Sequence, residues 1–298
     1  MKKEMLFKIL VLVVAIMVIF TFTLTGCGYE EDDNADTTDL EDKSNEGGGL
    51  SGDIVVMGST SVQPLAEELA EGFKEKEKDI NVDIQGVGSS AGITAANDET
   101  ANIGTSSRDL KDEEKEWGLT EHKIAIDGIA VVLHPDNKVE DLSQEDITKI
   151  FKGEITNWKD VGGDDKEITV VSREEGSGTR GAFEEIMDLV EKDGDKERSL
   201  VKEEAQIAGS NGEVKTNVSG KEDSIGYLSL GIVDEKIKAV KVDGVEATVE
   251  EVKAGNYKIQ RPFLMLTKGD GDELVKAFLD YILGDGQEIV GKDYITVN

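Results

Sequence analysis

Three segments rich in glycine and hydroxyl side chains have the composition of an anion-binding site. Residues 58–61 (Gly-Ser-Thr-Ser), 86–92 and 173–179 each follow a short apolar run and precede an amphipathic stretch. A turn that leads from a strand into a helix leaves backbone N–H groups unpaired at the positive end of the helix dipole. If the three turns meet in one cleft, they supply the hydroxyl donors Thr60, Ser61, Ser89, Ser90, Ser177 and Thr179.

Arg173 stands at the start of the third turn and could supply a fixed positive charge. A guanidinium is planar and always charged, so it can bind two oxygens of a tetrahedral anion. The alternative is a surface ion pair with Glu174 or Glu175, which would contribute little energy. Any single turn is weak support, because serine and threonine are ordinary helix N-caps. Three such turns in one chain favour a binding site.

Short β-branched runs alternate with amphipathic stretches, which predicts an α/β fold. We predict strands at residues 54–57, 80–84 and 168–171, each followed by one of the three turns and a helix. One face of the third helix carries Phe183, Ile186, Met187 and Val190. Two more predicted strands, 124–133 and 262–267, are candidates for crossings between two domains.

The motifs resemble those of the phosphate-binding proteins of bacterial phosphate-specific ABC importers. The similar segments are 58–61, 88–90 (Gly-Ser-Ser), 103–107 (Ile-Gly-Thr-Ser-Ser) and the Arg-x-x-Gly-Ser-Gly-Thr segment 173–179. Further matches are Ile-Phe-Lys-Gly-Glu-Ile-Thr-Asn-Trp at 150–158, Ile-Gly-Tyr at 225–227 and Arg-Pro-Phe at 261–263. The resemblance extends over nearly everything after residue 49.

This resemblance implies a type II periplasmic-binding-protein fold, in which two α/β domains are joined by two crossing strands and enclose a ligand cleft. Domain I would comprise residues 50–127 and 262–298, and domain II residues 128–261. The implied function is that of a monomeric receptor that delivers inorganic phosphate to the permease subunits of an ABC importer, without catalysis or a cofactor. The implied phosphate contacts are Thr60, Ser61, Ser89, Ser107, Arg173, Ser177, Gly178 and Thr179.

Ser107 departs from the best-known pattern of this family, which has an aspartate at that position. A carboxylate can accept the proton that phosphate carries near neutral pH, whereas it would repel sulfate, which has no proton to donate. Asp127, on the predicted crossing strand, is our candidate replacement; a carboxylate that only makes turn hydrogen bonds is the alternative. A direct role predicts that Asp127→Asn retains phosphate binding and gains sulfate affinity.

The N-terminus predicts export and lipid anchoring. Lys2, Lys3 and Lys8 precede or begin an apolar run from Ile9 to Phe20, as in a signal peptide, and the run is too short for a confident membrane span. Leu-Thr-Gly-Cys at 24–27 resembles the lipobox of bacterial lipoproteins, with Cys27 as the lipidated residue. We therefore predict a signal peptide at 1–26 and a cell-membrane protein on the extracytoplasmic side, attached through the lipid. Residues 27–49, rich in acidic residues and ending in three glycines, are predicted to form a disordered tether.

The net charge excludes nucleic acid as a natural partner. The chain has 64 Asp and Glu against 33 Lys and Arg, a net charge of −31, and removal of residues 1–26 would make it −33. An anion site in such a chain must be built from local groups, since the overall field repels its ligand. Two separated histidines and one cysteine do not have the spacing of a zinc site, and no metal is expected.

Two alternatives to a phosphate receptor remain open at this point. The same fold could bind another tetrahedral oxyanion, such as sulfate or molybdate. Residues 88–92 also match the Gly-x-Ser-x-Gly turn of serine hydrolases, with Ser90 as nucleophile. That chemistry needs a histidine base, and the chain offers only His122 and His134.

Overall fold

The structure, a computed structural model, describes residues 49–193 and 196–298. The predicted signal peptide, the predicted lipidation site Cys27 and all of the predicted tether except Gly49 lie outside the described residues. In that described part, no helix combines the length and the apolar character needed to cross a membrane.

Strands and helices alternate through most of the chain, as the α/β prediction requires. In chain order the strands are β1 (Gly52–Gly58), β2 (Ile80–Gly86), β3 (Ile103–Ser106), β4 (Leu119–Leu133), β5 (Asp141–Leu142), β6 (Thr169–Arg173), β7 (Val190–Asp193), β8 (Lys196–Ser199), β9 (Gln206–Ala208), β10 (Ser224–Ser229), β11 (Lys238–Ala239), β12 (Lys241–Val242) and β13 (Gln260–Lys268).

The helices flank these strands. They are α1 (Gln63–Lys76), α2 (Ser89–Asn97), α3 (Asp112–Lys115), α4 (Gln144–Lys152), α5 (Gly178–Ile186), α6 (Asn211–Ser219), α7 (Val249–Lys253), α8 (Glu273–Leu283) and α9 (Gln287–Asp293), with short 3₁₀ turns at Trp158–Val161 and Leu230–Ile232.

One sheet connects the two halves of the molecule, with strand order β2-β1-β3-β13-β4-β10-β6-β9. Strand β4 holds the sheet together, because it changes partner along its length. Residues 119–128 of β4 pair with β13, and residues 129–133 pair with β10. Each half has the parallel strands that strand-turn-helix units produce: β1 with β2 and β3, and β6 with β9 and β10.

Each half has its own hydrophobic core. In the first half, the buried face of α1, including Leu65, Leu69 and Phe73, packs with α8 on the β1–β2–β3 side. In the second half, Phe151 of α4 and Phe183 of α5 pack with Trp158 and Tyr227. The aromatic rings of Phe183 and Tyr227 are stacked with centroids 4.0 Å apart. Trp158 and Tyr227 are therefore both core residues.

The predicted third helix is wrong at its C-terminal end. Helix α5 ends at Ile186, and Val190 is the first residue of β7. Asp188, with φ 52°, is in the left-handed region, which breaks the helix and turns the chain into a hairpin. The apolar residues from Phe183 to Val190 keep the spacing of a helix face, although the helix itself ends at Ile186.

Candidate functional site

The three predicted turns meet in one buried cluster of hydroxyl groups. They lie at the carboxyl ends of β1, β2 and β6, where α1, α2 and α5 begin. Gly178 shows how closely they pack: a Cβ atom on this residue would lie 2.2 Å from Ser89 Oγ and 2.7 Å from Ser107 Oγ. Any side chain at this position would force the neighbours apart, so the start of α5 lies directly against the turn that begins α2.

The turn after β1 links the other two turns. Ser59 Oγ donates to Ser107 Oγ at 2.8 Å and accepts from the backbone N–H of Ser61 at 3.1 Å. Ser61 Oγ lies 2.7 Å from Thr179 Oγ1, and this hydrogen bond joins the first turn to the third. Thr60, the residue after Ser59, accepts hydrogen bonds from Arg173 and Asn211 of the second half.

Ser89 and Ser90 begin α2 but have different surroundings. Ser89 Oγ is buried and accepts from the backbone N–H of Ser107 at 3.1 Å, so both residues belong to the cluster. Ser90 Oγ accepts instead from Arg108 Nη2 at 3.2 Å, and the Ser90 N–H donates to the Gly176 carbonyl at 3.1 Å. The side chain of Ser90 thus faces Arg108 at the edge of the cluster.

The hydrolase alternative requires a histidine beside Ser90, and the described residues place none there. His122 Nε2 lies 3.1 Å from Thr267 Oγ1, and His134 Nδ1 accepts from the backbone N–H of Asp136. Arg108, the partner of Ser90, is held by Glu114 through Nη1 and Nη2 at 2.7 and 2.8 Å. The neighbour of the Ser90 hydroxyl is therefore a cation, which cannot act as a general base.

The third turn presents the N-terminus of α5 to the cluster. Ser177 is the N-cap, and its Oγ accepts from the backbone N–H of Arg180 at 3.2 Å. Ser177, Gly178 and Thr179 are all buried. The positive end of this nine-residue helix therefore lies against hydroxyl groups from the first half of the molecule.

Arg173 is the charged residue that the sequence predicted for this place, and only 1% of it is exposed. Its Nη2 donates to Thr60 Oγ1 at 3.2 Å, which connects the two halves. Its Nε donates to the Ala208 carbonyl at 3.1 Å, and Glu174 forms an ion pair with Nη2 at 3.0 Å. Its Nη1 is buried and has no hydrogen-bond partner among the described residues. Arg173 therefore does both things that the sequence suggested as alternatives: it pairs with Glu174, and it lies in the hydroxyl cluster.

Sequence reasoning missed Asn211 as a site residue. Its Nδ2 donates to Thr60 Oγ1 at 3.1 Å and to Ser61 Oγ at 2.9 Å, while its Oδ1 accepts from the Ser229 N–H at 3.2 Å. Asn211 begins α6 directly after β9, so this is a fourth strand-turn-helix unit. The signal in the sequence was the short run Gln-Ile-Ala-Gly-Ser-Asn at 206–211, whose strand has only three residues.

Asp127 lies next to the cluster in a buried ion pair with Arg261. Arg261 was not predicted from the sequence as a site residue. Arg261 Nη2 is 2.9 Å from Asp127 Oδ2 and 3.1 Å from Ser61 Oγ. Ser229 Oγ donates to Asp127 Oδ1 at 3.0 Å. Burial raises the pKa of Asp127 to about 6, although Arg261 acts in the opposite direction. Its predicted role as a direct proton acceptor for the ligand stays a prediction.

The raised pKa of Asp127 predicts a pH-dependent folding stability. Between its ordinary value of 3.8 and about 6, the folded protein binds this proton more strongly than the unfolded chain does. The contribution of this carboxyl group to stability is therefore complete below pH 4 and is lost as the pH rises through 6. Asparagine cannot titrate, so the unfolding free energy of wild type relative to Asp127→Asn should fall by about 2 kcal/mol from pH 4 to 7. Denaturant melts across this range measure the difference, and parallel pH profiles would contradict it.

Comparison with known proteins identifies the family. A family model described as a PBP superfamily domain matches residues 43–286. The phosphate-binding protein PstS of Bacillus subtilis is 33% identical over 305 residues, which span 100% of this chain and 95% of the relative. The PstS protein of Borreliella burgdorferi is 30% identical over 80% of this chain and 87% of its own length.

Solved structures agree with this result. A candidate phosphate ABC transporter substrate-binding protein of Clostridium perfringens with bound phosphate is similar at a TM-score of 0.78 and 46% identity, over 83% of this chain and 100% of that one. An ABC-type phosphate transport receptor of Vibrio cholerae gives a TM-score of 0.69 and 36% identity, over 82% and 100%. The expected type II periplasmic-binding-protein fold is thereby confirmed. The protein belongs to the PBP superfamily and, within it, to the PstS family of phosphate-binding proteins.

Proposed function

We propose that the protein is an extracytoplasmic receptor that binds inorganic phosphate between its two halves and delivers it to the permease subunits of an ABC importer. The observation that carries the proposal is the meeting of Arg173 with three helix N-termini in one buried cluster. Such a site offers a fixed positive charge and many N–H and O–H donors, which suit a small tetrahedral oxyanion. Relatives named for phosphate binding support the choice of ligand.

The proposed phosphate contacts come from both halves of the molecule. Six hydroxyl groups, the Arg173 guanidinium and the backbone of one glycine form the set: Thr60, Ser61, Ser89, Ser107, Arg173, Ser177, Gly178 and Thr179. Ser90, whose hydroxyl accepts from Arg108, would contribute at the edge of the site. The protein would act by capture alone, as a monomer without cofactor or metal.

Closure of the two halves would make the binding strong. We propose that residues 50–127 with 262–298 and residues 128–261 form the two domains, and that β4 and β13 connect them. When the domains close on the anion, water is excluded and each charge-assisted hydrogen bond becomes stronger in the lower dielectric. The closed form would be the one that the importer recognises.

Isothermal titration calorimetry with phosphate, arsenate, sulfate and molybdate tests the proposed ligand. We expect phosphate to bind most tightly and arsenate, its nearest isostere, to follow. Tighter binding of sulfate or molybdate would favour a receptor for another oxyanion. A protein that is folded by circular dichroism and binds none of the four would refute the receptor function.

Lipid attachment at Cys27 is proposed from the sequence alone. Cys27→Ser should prevent acylation, so the protein should leave the membrane fraction of cells that express the full chain. Fractionation followed by mass spectrometry of the N-terminus measures this, and Ser44→Ala in the predicted tether is the control. Unchanged membrane association of the Cys27 variant would argue against the anchor.

A further inference from the structure

Asp127 and Arg261 form a buried ion pair, and neither residue is among the proposed phosphate contacts. The two residues are directly opposite each other on the antiparallel strands β4 and β13, one residue before β4 leaves β13. Both side chains are 1% exposed. A buried ion pair usually contributes little net stability, because desolvation of the two charges offsets their attraction. Its presence beside the hydroxyl cluster therefore invites a functional explanation.

The hydrogen bonds of Asp127 leave little capacity for a ligand proton. Arg261 donates to Oδ2 through Nε at 3.2 Å and Nη2 at 2.9 Å. Ser229 donates to Oδ1 at 3.0 Å. These three hydrogen bonds engage both carboxylate oxygens, and two of the three come from Arg261. The carboxylate is thus used to hold the guanidinium of Arg261.

Arg261 contacts the hydroxyl cluster in addition to Asp127. Its Nη2 donates to Ser61 Oγ at 3.1 Å, while Arg173 Nη2 donates to the adjacent Thr60. The two arginines therefore flank two consecutive hydroxyl residues. They are close enough for the charge of Arg173 to lower the pKa of Arg261, an effect smaller than that of burial.

Each of these arginines has a donor that is not used within the protein. The Nη1 nitrogens of Arg173 and Arg261 are both buried and have no hydrogen-bond partner in the described part of the chain. An unpaired buried donor is costly, and most buried donors in proteins are paired. A doubly charged oxyanion that lies between the two guanidinium groups would satisfy both nitrogens.

The two hydroxyl groups between the arginines are also set to donate. Thr60 Oγ1 accepts from Arg173 and Asn211, and Ser61 Oγ accepts from Arg261 and Asn211. A hydroxyl has two acceptor lone pairs and one proton, so both groups can only donate further. Ser61 then donates to Thr179, and the Thr60 proton is the one left for a ligand. To make its proposed contact, Ser61 would exchange Thr179 for the anion.

We propose that Arg261 is a second anion-binding guanidinium of this site and that Asp127 is a positioning residue that acts through it. This rests on the proposed binding of an oxyanion. It assigns Asp127 no contact with the ligand proton, so phosphate and sulfate should respond alike to its loss. The site then offers two guanidinium groups, those of Arg173 and Arg261, to a doubly charged anion.

Calorimetry with phosphate and with sulfate on four variants tests this assignment. Arg261→Gln should weaken phosphate binding roughly 10-fold to 100-fold, as expected for one hydrogen bond from a charged donor, and Arg261→Lys should be intermediate. Asp127→Asn should weaken both anions by a similar factor. In the double variant Asp127→Asn/Arg261→Gln, the Asp127 change should add nothing to the effect of Arg261→Gln, because its effect passes through Arg261.

Arg198→Gln is the control, since it breaks an arginine–carboxylate pair on the exposed β7–β8 hairpin that contacts none of the proposed ligand donors. It should leave phosphate affinity unchanged. If Arg261→Gln does not fold, the double variant, which removes both buried charges, and Arg261→Lys carry the test. Wild-type phosphate affinity in a folded Arg261 variant, or retained phosphate affinity with a gain for sulfate in Asp127→Asn, would overturn the assignment. Failure of the wild-type protein to bind any oxyanion would instead refute the proposed function.

Discussion

Arg173→Gln is expected to weaken phosphate binding by roughly 1,000-fold, since a charged donor contributes to each hydrogen bond about twice what a neutral one does. Arg173 is 1% exposed and has one buried nitrogen without a partner in the described residues. The substitution also leaves Glu174 without its cation near the anion. Because the Glu174 side chain is 31% exposed, water can solvate the remaining charge, and the variant should still fold. Calorimetry with phosphate measures the loss.

Arg198→Gln is the control for the loss of one positive charge. Arg198 is paired with Glu191 on the β7–β8 hairpin, and its side chain is 71% exposed. Its replacement changes the net charge of the protein by the same amount, so any difference between the two variants belongs to the site. Arg173→Lys should lie between wild type and the glutamine variant, since it retains the charge and loses the planar fork. Phosphate affinity close to wild type in Arg173→Gln would remove Arg173 from the site.

Gly178→Ala is expected to lower phosphate affinity by roughly 100-fold through steric conflict alone, at the upper end of what overpacking costs. The added Cβ would lie 2.2 Å from Ser89 Oγ and 2.9 Å from Ser89 Cβ. Rotation of the hydroxyl cannot relieve the contact with Ser89 Cβ, so the turns that begin α2 and α5 must move apart. Alanine is a better helix former than glycine, so α5 itself should not be weakened. Affinity should therefore fall without a matching fall in the melting temperature of the ligand-free protein.

Gly176→Ala provides the matched control within the same turn. Its Cβ would meet only Ser90 Cβ at 4.0 Å, which is an ordinary van der Waals contact. We expect this variant to bind phosphate as wild type does. Equal losses in the two variants would mean that a general disturbance of the turn, and not the approach of Gly178 to Ser89, causes the effect.

Local sequence signals were sufficient for the strands and turns that form the cluster. Apolar runs such as 54–57 and 168–171 became β1 and β6, and each is followed by a turn and a helix, as predicted. These features depend on neighbours within a few residues, which periodicity and capping preferences describe well. The α5 boundary failed for a related reason. Apolar spacing alone does not reveal that Asp188 adopts a left-handed backbone conformation.

The polar groups that surround Ser61 were not predictable in the same way. Arg261 and Asp127 are 134 residues apart in the chain and meet only through the register of β13 against β4. Asn211 reaches Ser61 from 150 residues away, at the start of a helix whose preceding strand is very short. Such contacts are set by tertiary packing, and no local pattern in the chain specifies them. The resemblance to a family indicated the Arg-Pro-Phe segment without giving Arg261 a role.

Strand β4 has a consequence for how the molecule unfolds. Its residues Ile124 and Ala125 belong to one hydrophobic core, while Ile129, Val131 and Leu133 belong to the other. If one half unfolds and β4 detaches, the other half loses one of its central strands as well. The two halves are therefore coupled folding units, and a calorimetric scan of the ligand-free protein should show a single cooperative transition. An anion bound between the halves should raise the stability of both together.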